Sequence, residues 1–139
     1  MLTIRKFSKE FLKGDDLVRF GSITEEVLEL LKHLVACKYN IFISGGTSSG
    51  KTTFLNLLAT FISPKERVIT IEDSAELKLM GLENLISMEA RSNNLEGKGG
   101  ISIADLIKTS LRMRPDRIIV GESQRWRGIP YVNSYEYRS

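Results

Sequence analysis

Residues 45–52 read Gly45-Gly46-Thr47-Ser48-Ser49-Gly50-Lys51-Thr52, which fits the phosphate-loop pattern G-x-x-x-x-G-K-[ST]. The pattern has force only between a strand and a helix, and its neighbours predict both. Asn40-Ile41-Phe42-Ile43-Ser44 is a short apolar, β-branched run that predicts a buried strand. Thr53-Phe54-Leu55-Asn56-Leu57-Leu58-Ala59-Thr60-Phe61-Ile62 predicts a helix, stopped by Ser63-Pro64. Glycines in this place let successive backbone N–H groups turn toward one anion, and the helix N-terminus adds the positive end of its dipole. Lys51 then reaches the β- and γ-phosphates, and the Thr52 hydroxyl ligates Mg²⁺. The eight residues imply a binder of nucleoside triphosphates.

Upstream, Thr3-Ile4-Arg5-Lys6-Phe7 alternates weakly and predicts an edge strand, followed by a polar connection through Gly14-Asp15-Asp16. Ser22-Ile23-Thr24-Glu25 has the form of a capping box. After it, Val27, Leu28, Leu30, Leu31, Leu34 and Val35 share one face of an amphipathic helix that runs to about Cys37. His33, the only histidine, falls on the polar face beside Glu29 and Lys32, as a solvated residue does. Cys37, the only cysteine, excludes an internal disulfide, suits a reducing cytoplasm and is expected as a packed thiol.

Downstream, Arg67-Val68-Ile69-Thr70-Ile71-Glu72 and Asn84-Leu85-Ile86-Ser87-Met88-Glu89 predict two strands, and 93–100 a glycine-rich flexible loop. Ser102-Ile103-Ala104-Asp105 opens a helix with Ile103, Leu106, Ile107 and Leu111 on its buried side. Pro115 ends it, and Arg117-Ile118-Ile119-Val120-Gly121 predicts a further strand with Glu122 at its end. Strands alternating with helices at this spacing imply an α/β fold with a mainly parallel sheet. Ligands of such sheets lie at the C-terminal ends of the strands. The phosphate loop, Glu72 with Asp73, and Glu122 all fall at such ends. Glu72 or Asp73 can polarise an attacking water, and Glu122 can help to hold Mg²⁺.

The 139 residues carry a net charge of +3, but the surplus is uneven. Residues 123–139 hold Arg125, Arg127 and Arg138 against Glu136, a net of +2, which leaves +1 for the first 122. No basic stripe with interleaved aromatics appears in that main part, so nucleic acid is not indicated. Lys65, Arg67 and the group Arg112, Arg114 and Arg117 are expected as surface or nucleotide-site charges. No apolar run approaches the ~18 residues of a membrane span, and no signal-peptide core is present.

Taken in order, these motifs resemble the hexameric ATPases of type II/IV secretion and type IV pilus assembly, with the tight-adherence (Flp-type) pilus motors as the nearest branch. The resemblance runs from about Leu2 to Glu122. It rests on Thr3–Phe7, Arg19-Phe20-Gly21-Ser22, the phosphate loop, Thr70-Ile71-Glu72-Asp73, Glu96-Gly97-Lys98-Gly99 and Leu111-Arg112-Met113-Arg114-Pro115-Asp116-Arg117-Ile118-Ile119-Val120-Gly121-Glu122. It implies a partial RecA-like P-loop core that binds ATP and Mg²⁺. Glu72 matches the family's catalytic carboxylate, Glu122 its Walker-B glutamate, and Arg91 an arginine near the phosphates. Gly45, Gly46, Thr47, Ser48, Ser49, Gly50, Lys51 and Thr52 match its nucleotide cradle, although the family usually has glycine at the position of Ser48. The resemblance further implies a homohexamer in the intact machine. That machine would be cytoplasmic and peripheral to the inner membrane, working on an inner-membrane platform protein.

Residues 1–21 then match the linker-like start of the motor and 22–122 part of its ATPase domain. Residues 123–139 depart from the family pattern. They hold the only tryptophan and three of the four tyrosines, with no helical apolar face. The family continues here with Val-Arg-Gly-Gly-Glu-Ala. Allowed codons for 123–139, read one base later, spell Val-Arg-Gly-Gly-Glu-Ala-Phe-His-Met-Leu-Ile-His-Met-Asn-Thr-Gly, and Trp126, with its single codon, falls on the glycine pair. A one-base frameshift after Glu122 is therefore expected, with a divergent natural tail as the alternative. Two functions follow: a motor ATPase fragment, or a nucleotide-binding fragment or gene remnant without turnover. An unrelated P-loop kinase or GTPase is disfavoured because neither an acceptor-site motif nor a guanine-reading motif such as N-K-x-D is present.

Overall fold

Val68, Ile69 and Ile71 are fully buried, which is why the strand Arg67–Glu72 has apolar residues at both odd and even positions rather than alternating. A strand covered on both faces needs apolar residues at odd and even positions alike. It is β1, the central strand of a three-stranded sheet. In the computed structural model, which describes residues 13–93 and 99–121, β2 (Asn84–Glu89) and β3 (Arg117–Val120) flank it in the order β2-β1-β3. Both pairings are parallel, with Ile71 beside Met88 on one side and Val120 on the other. The parallel α/β sheet expected from the sequence is present, and all three of these strands lie within a residue of their expected bounds.

The described residues fall into two compact units. The sheet belongs to the second, drawn from Lys65–Leu77 and Glu83–Ser139. The described residues form four helices, numbered in chain order: α1 (Gly14–Arg19), α2 (Glu25–Ala36), α3 (Lys51–Ala59) and α4 (Ile103–Leu111). In the second unit α4 covers β1, with Ile103 and Leu106 packed on Ile69 and Ile71. Each such isoleucine taken from water stabilises the unit by about 2 kcal/mol. The opposite ends of β1 and β3 are tied by reciprocal bonds: Arg67 N–H donates to the Asp116 carboxylate at 2.9 Å, and Asp116 N–H to the Arg67 carbonyl at 2.8 Å. Beside them Arg117 grips Glu66 through Nε (2.8 Å) and Nη2 (3.1 Å). Arg117 is thus a half-buried structural partner and not the surface or nucleotide-site charge expected, whereas Arg112 and Arg114 are exposed.

The first unit, from Met1–Pro64 and Lys78–Leu82, holds α1, α2 and α3 around Leu17, Leu28 and Leu57. Helix α1 occupies the expected polar connection. It ends in a Schellman closure, with Gly21 at φ +69°, Gly21 N–H on the Val18 carbonyl and Ser22 N–H on the Leu17 carbonyl. That closure uses Ser22, so the expected capping box there does not form. Thr24 caps α2 instead, its hydroxyl accepting the Val27 N–H at 3.3 Å. Only Leu28 and Val35 of α2 are buried, and Leu30 is 56% exposed, so the apolar face is wider than what covers it. Cys37 is an exposed free thiol rather than a packed one, because α2 stops at Ala36 and leaves it at the cap. His33 is exposed as expected.

The strand expected at 40–44 is not formed. A parallel strand exists through its ladder, and among its described residues the first unit holds no strand to pair with. Phe42 is accordingly 81% exposed. Helix α3 begins two residues earlier than expected, at Lys51, and its end tightens through i→i−3 bonds from Phe61 and Ile62 before Pro64. The expected strand at Thr3–Phe7, residues 94–98 of the expected loop, Glu122 and the tail 123–139 lie outside the described residues.

Candidate functional site

The phosphate loop lies in the first unit and closes on itself. Ser49 N–H donates to the Gly46 carbonyl at 3.3 Å, and Lys51 Nζ donates to the same oxygen at 2.8 Å. Gly50 stands at φ +90° as the N-cap of α3, a conformation glycine adopts without penalty. It lets the chain swing from the loop directly into the helix, where the Phe54 N–H finds the Gly50 carbonyl at 2.8 Å. A Cβ at Gly45 would come 2.6 Å from Ser49 Oγ, so a side chain there would push Ser49 out of its present rotamer. Ser48 adopts φ +61°, which explains why glycine suits this position. Thr52 follows in the first turn of α3, the turn whose backbone N–H groups have no partner within the helix.

The remaining expected residues belong to the second unit. Glu72 ends β1 and is 5% exposed. Its Oε1 accepts the N–H groups of Glu76 (3.0 Å) and Leu77 (2.9 Å), while Asp73 is exposed. Arg91 is exposed and forms a two-way antiparallel bridge with Ile101 through its backbone, at 2.9 and 2.8 Å.

Two contributors escaped the sequence. Glu89, in register with Glu72 on β2, accepts the Ala75 N–H at 3.3 Å. Gly121 leaves the space that the Glu72 side chain occupies, since a Cβ there would come 2.8 Å from Glu72 Cγ. Both depend on strand register, which no single-strand pattern reveals. Among the described residues no group of three or more His, Cys, Asp or Glu could hold a metal ion alone. No helix among them is long and apolar enough to cross a membrane.

A family model for type II/IV secretion system proteins matches residues 1–127. The chain belongs to this family. An uncharacterized protein of Methanocaldococcus jannaschii is 44% identical over 128 residues, covering 87% of this chain and 18% of that protein. The type IV secretion system protein VirB11 of Bartonella quintana is 36% identical over 110 residues, 79% of this chain and 30% of its own length. Among solved structures, the VirB11 ATPase of the Brucella suis type IV secretion system, in complex with sulphate, superposes with a TM-score of 0.61 at 25% identity. It covers 86% of this chain and 40% of that one. The parallel sheet with its helices is thus part of a RecA-like α/β core, and this secretion-family chain spans well under half the length of these relatives.

Proposed function

We propose that the chain is the ATP-binding portion of a secretion or pilus-assembly motor. In the intact machine it would act as a cytoplasmic homohexamer on an inner-membrane platform protein, with the Flp-type pilus branch as its nearest kin. The observation that carries this is the loop at 45–52. It enters α3 through Gly50 at φ +90°, with Lys51 turned back into the loop at 2.8 Å from a carbonyl. A neutral carbonyl is a weaker acceptor for an ammonium group than a phosphate oxygen, so the Gly46 contact can give way to phosphate. The glycines of the loop and the α3 N-terminus are the features that suit an anion here.

Lys51 and the loop amides would hold the β- and γ-phosphates. The hydroxyl of Thr52 and the carboxylate of Glu122 would hold Mg²⁺, which when bound draws charge from the terminal phosphate. Arg91 would add positive charge near the phosphates. Glu72 would take the proton of the attacking water as its oxygen bonds to the γ-phosphorus. The bridging P–O bond breaks as that bond forms, giving ADP and inorganic phosphate.

Steady-state hydrolysis by the full chain tests this. Turnover that falls at least about 100-fold in Lys51→Ala and in Glu122→Gln is the expected result. Mg-ATP binding with no turnover would replace it with the second reading, a nucleotide-binding chain that does not hydrolyse. Absence of both would end the proposal.

A further inference from the structure

Strands β1 and β3 run parallel with Ile71 beside Val120, and the Gly121 N–H extends the ladder to the Ile71 carbonyl at 2.8 Å. One step on, Glu72 and Gly121 are neighbours. Side chains at matched positions of adjacent parallel strands project on the same face of the sheet, so whatever stands at 121 shares space with Glu72. A Cβ there would lie 2.8 Å from Glu72 Cγ, 3.2 Å from Oε1 and 3.4 Å from Cδ. Gly121 is not among the residues with positive φ. Its backbone does not call for glycine, and close approach is what does.

The carboxylate that fills this space is held from its other side. Oε1 receives two amide N–H groups from the turn after β1, those of Glu76 and Leu77. The Ala75 N–H of the same turn is taken by Glu89 at the end of β2. Glu72 is 5% exposed, so few rotamers are open to it, and with Oε1 committed to the turn the direction of Oε2 is fixed. A base fixed before its water arrives needs no reorganisation during proton transfer.

We propose that Gly121 is a positioning residue for Glu72: its missing side chain is the space that lets the carboxylate lock onto the Glu76 and Leu77 amides and present Oε2 in one direction. The catalytic use of that lock rests on the hydrolysis reading above. The lock itself does not.

The test is Gly121→Ala in the full chain, alone and combined with Glu72→Ala, followed by amide hydrogen exchange and ATP kinetics. The alanine is expected to speed exchange at Glu76 and Leu77 about tenfold, as loss of their acceptor does. It is expected to lower kcat about 100-fold with KM for Mg-ATP unchanged. In the Glu72→Ala background, where Cγ is gone, Gly121→Ala should change neither exchange nor stability further. That arm separates a clash with Glu72 from displacement of the adjacent Glu122. Unchanged exchange at Glu76 and Leu77 in Gly121→Ala overturns the proposal, and so does an equal loss of stability in both backgrounds. Faster exchange in a chain that never hydrolyses ATP supports the lock and defeats only the hydrolysis reading.

Discussion

Ser48 holds φ +61° inside the phosphate loop, a region where an L side chain crowds the following carbonyl. Strain of this kind persists at functional loops because the surrounding turn imposes it. Ser48→Gly relieves it, and after the added freedom of the unfolded chain is subtracted the gain is about 0.5–1 kcal/mol. Urea denaturation should show a higher midpoint for the variant, and a lower midpoint would mean the loop is not strained there. The departure from glycine at this position was plain in the sequence, whereas the positive φ that gives it meaning was not. Glu72 was legible as an acid at a strand end. Its two amide partners were not, because they belong to a turn whose path no periodicity describes.

Among the elements, β1 and β3 were legible because buried parallel strands carry apolar residues at successive positions, and β2 from its shorter run of Leu85, Ile86 and Met88. Helix α4 was legible from its cap. The Ser102 hydroxyl donates to Asp105 Oδ2 at 2.6 Å and accepts the Asp105 N–H at 3.2 Å. These bonds, the Ser102 hydroxyl first and its N–H second, hold the Asp105 carboxyl below its usual range. The folded value is thus below the unfolded one, so the contribution is complete above the ordinary aspartate range and fades as pH falls through the folded value. An NMR pH titration should find Asp105 titrating low in the wild type and closer to the ordinary value in Ser102→Ala, which also loses about 1 kcal/mol of cap.

Other elements were misplaced for a physical reason in each case. The Ser22 cap was displaced because α1, too short and polar to announce itself, consumes Ser22 in its own closure. The run 40–44 has the composition of a strand, but composition specifies extension and not a partner. At the far end of the sheet, Arg117→Met would leave the Glu66 carboxylate half-buried without its two guanidinium bonds. That should cost about 2–3 kcal/mol in chemical denaturation, and a loss under about 0.5 kcal/mol would show the pair to be screened like a surface one.

At the scale of the whole molecule, a family match that covers residues 1–127 rests on a chain spanning 18% to 40% of the relatives compared. The change of character after Glu122 is what a one-base shift in the coding sequence would produce. The coding DNA should yield Val-Arg-Gly-Gly-Glu-Ala in the alternative frame, and codons that do not spell it make the tail a natural one. Fold class was legible at this scale because one loop and three strand ends suffice to define it. The central claim is that Gly45 to Thr52 cradle a nucleoside triphosphate. Calorimetric titration of Mg-ATP into the full chain tests it most directly: saturable one-to-one binding that disappears in Lys51→Ala is the predicted result, and no binding, or equal binding by Lys51→Ala, would contradict it.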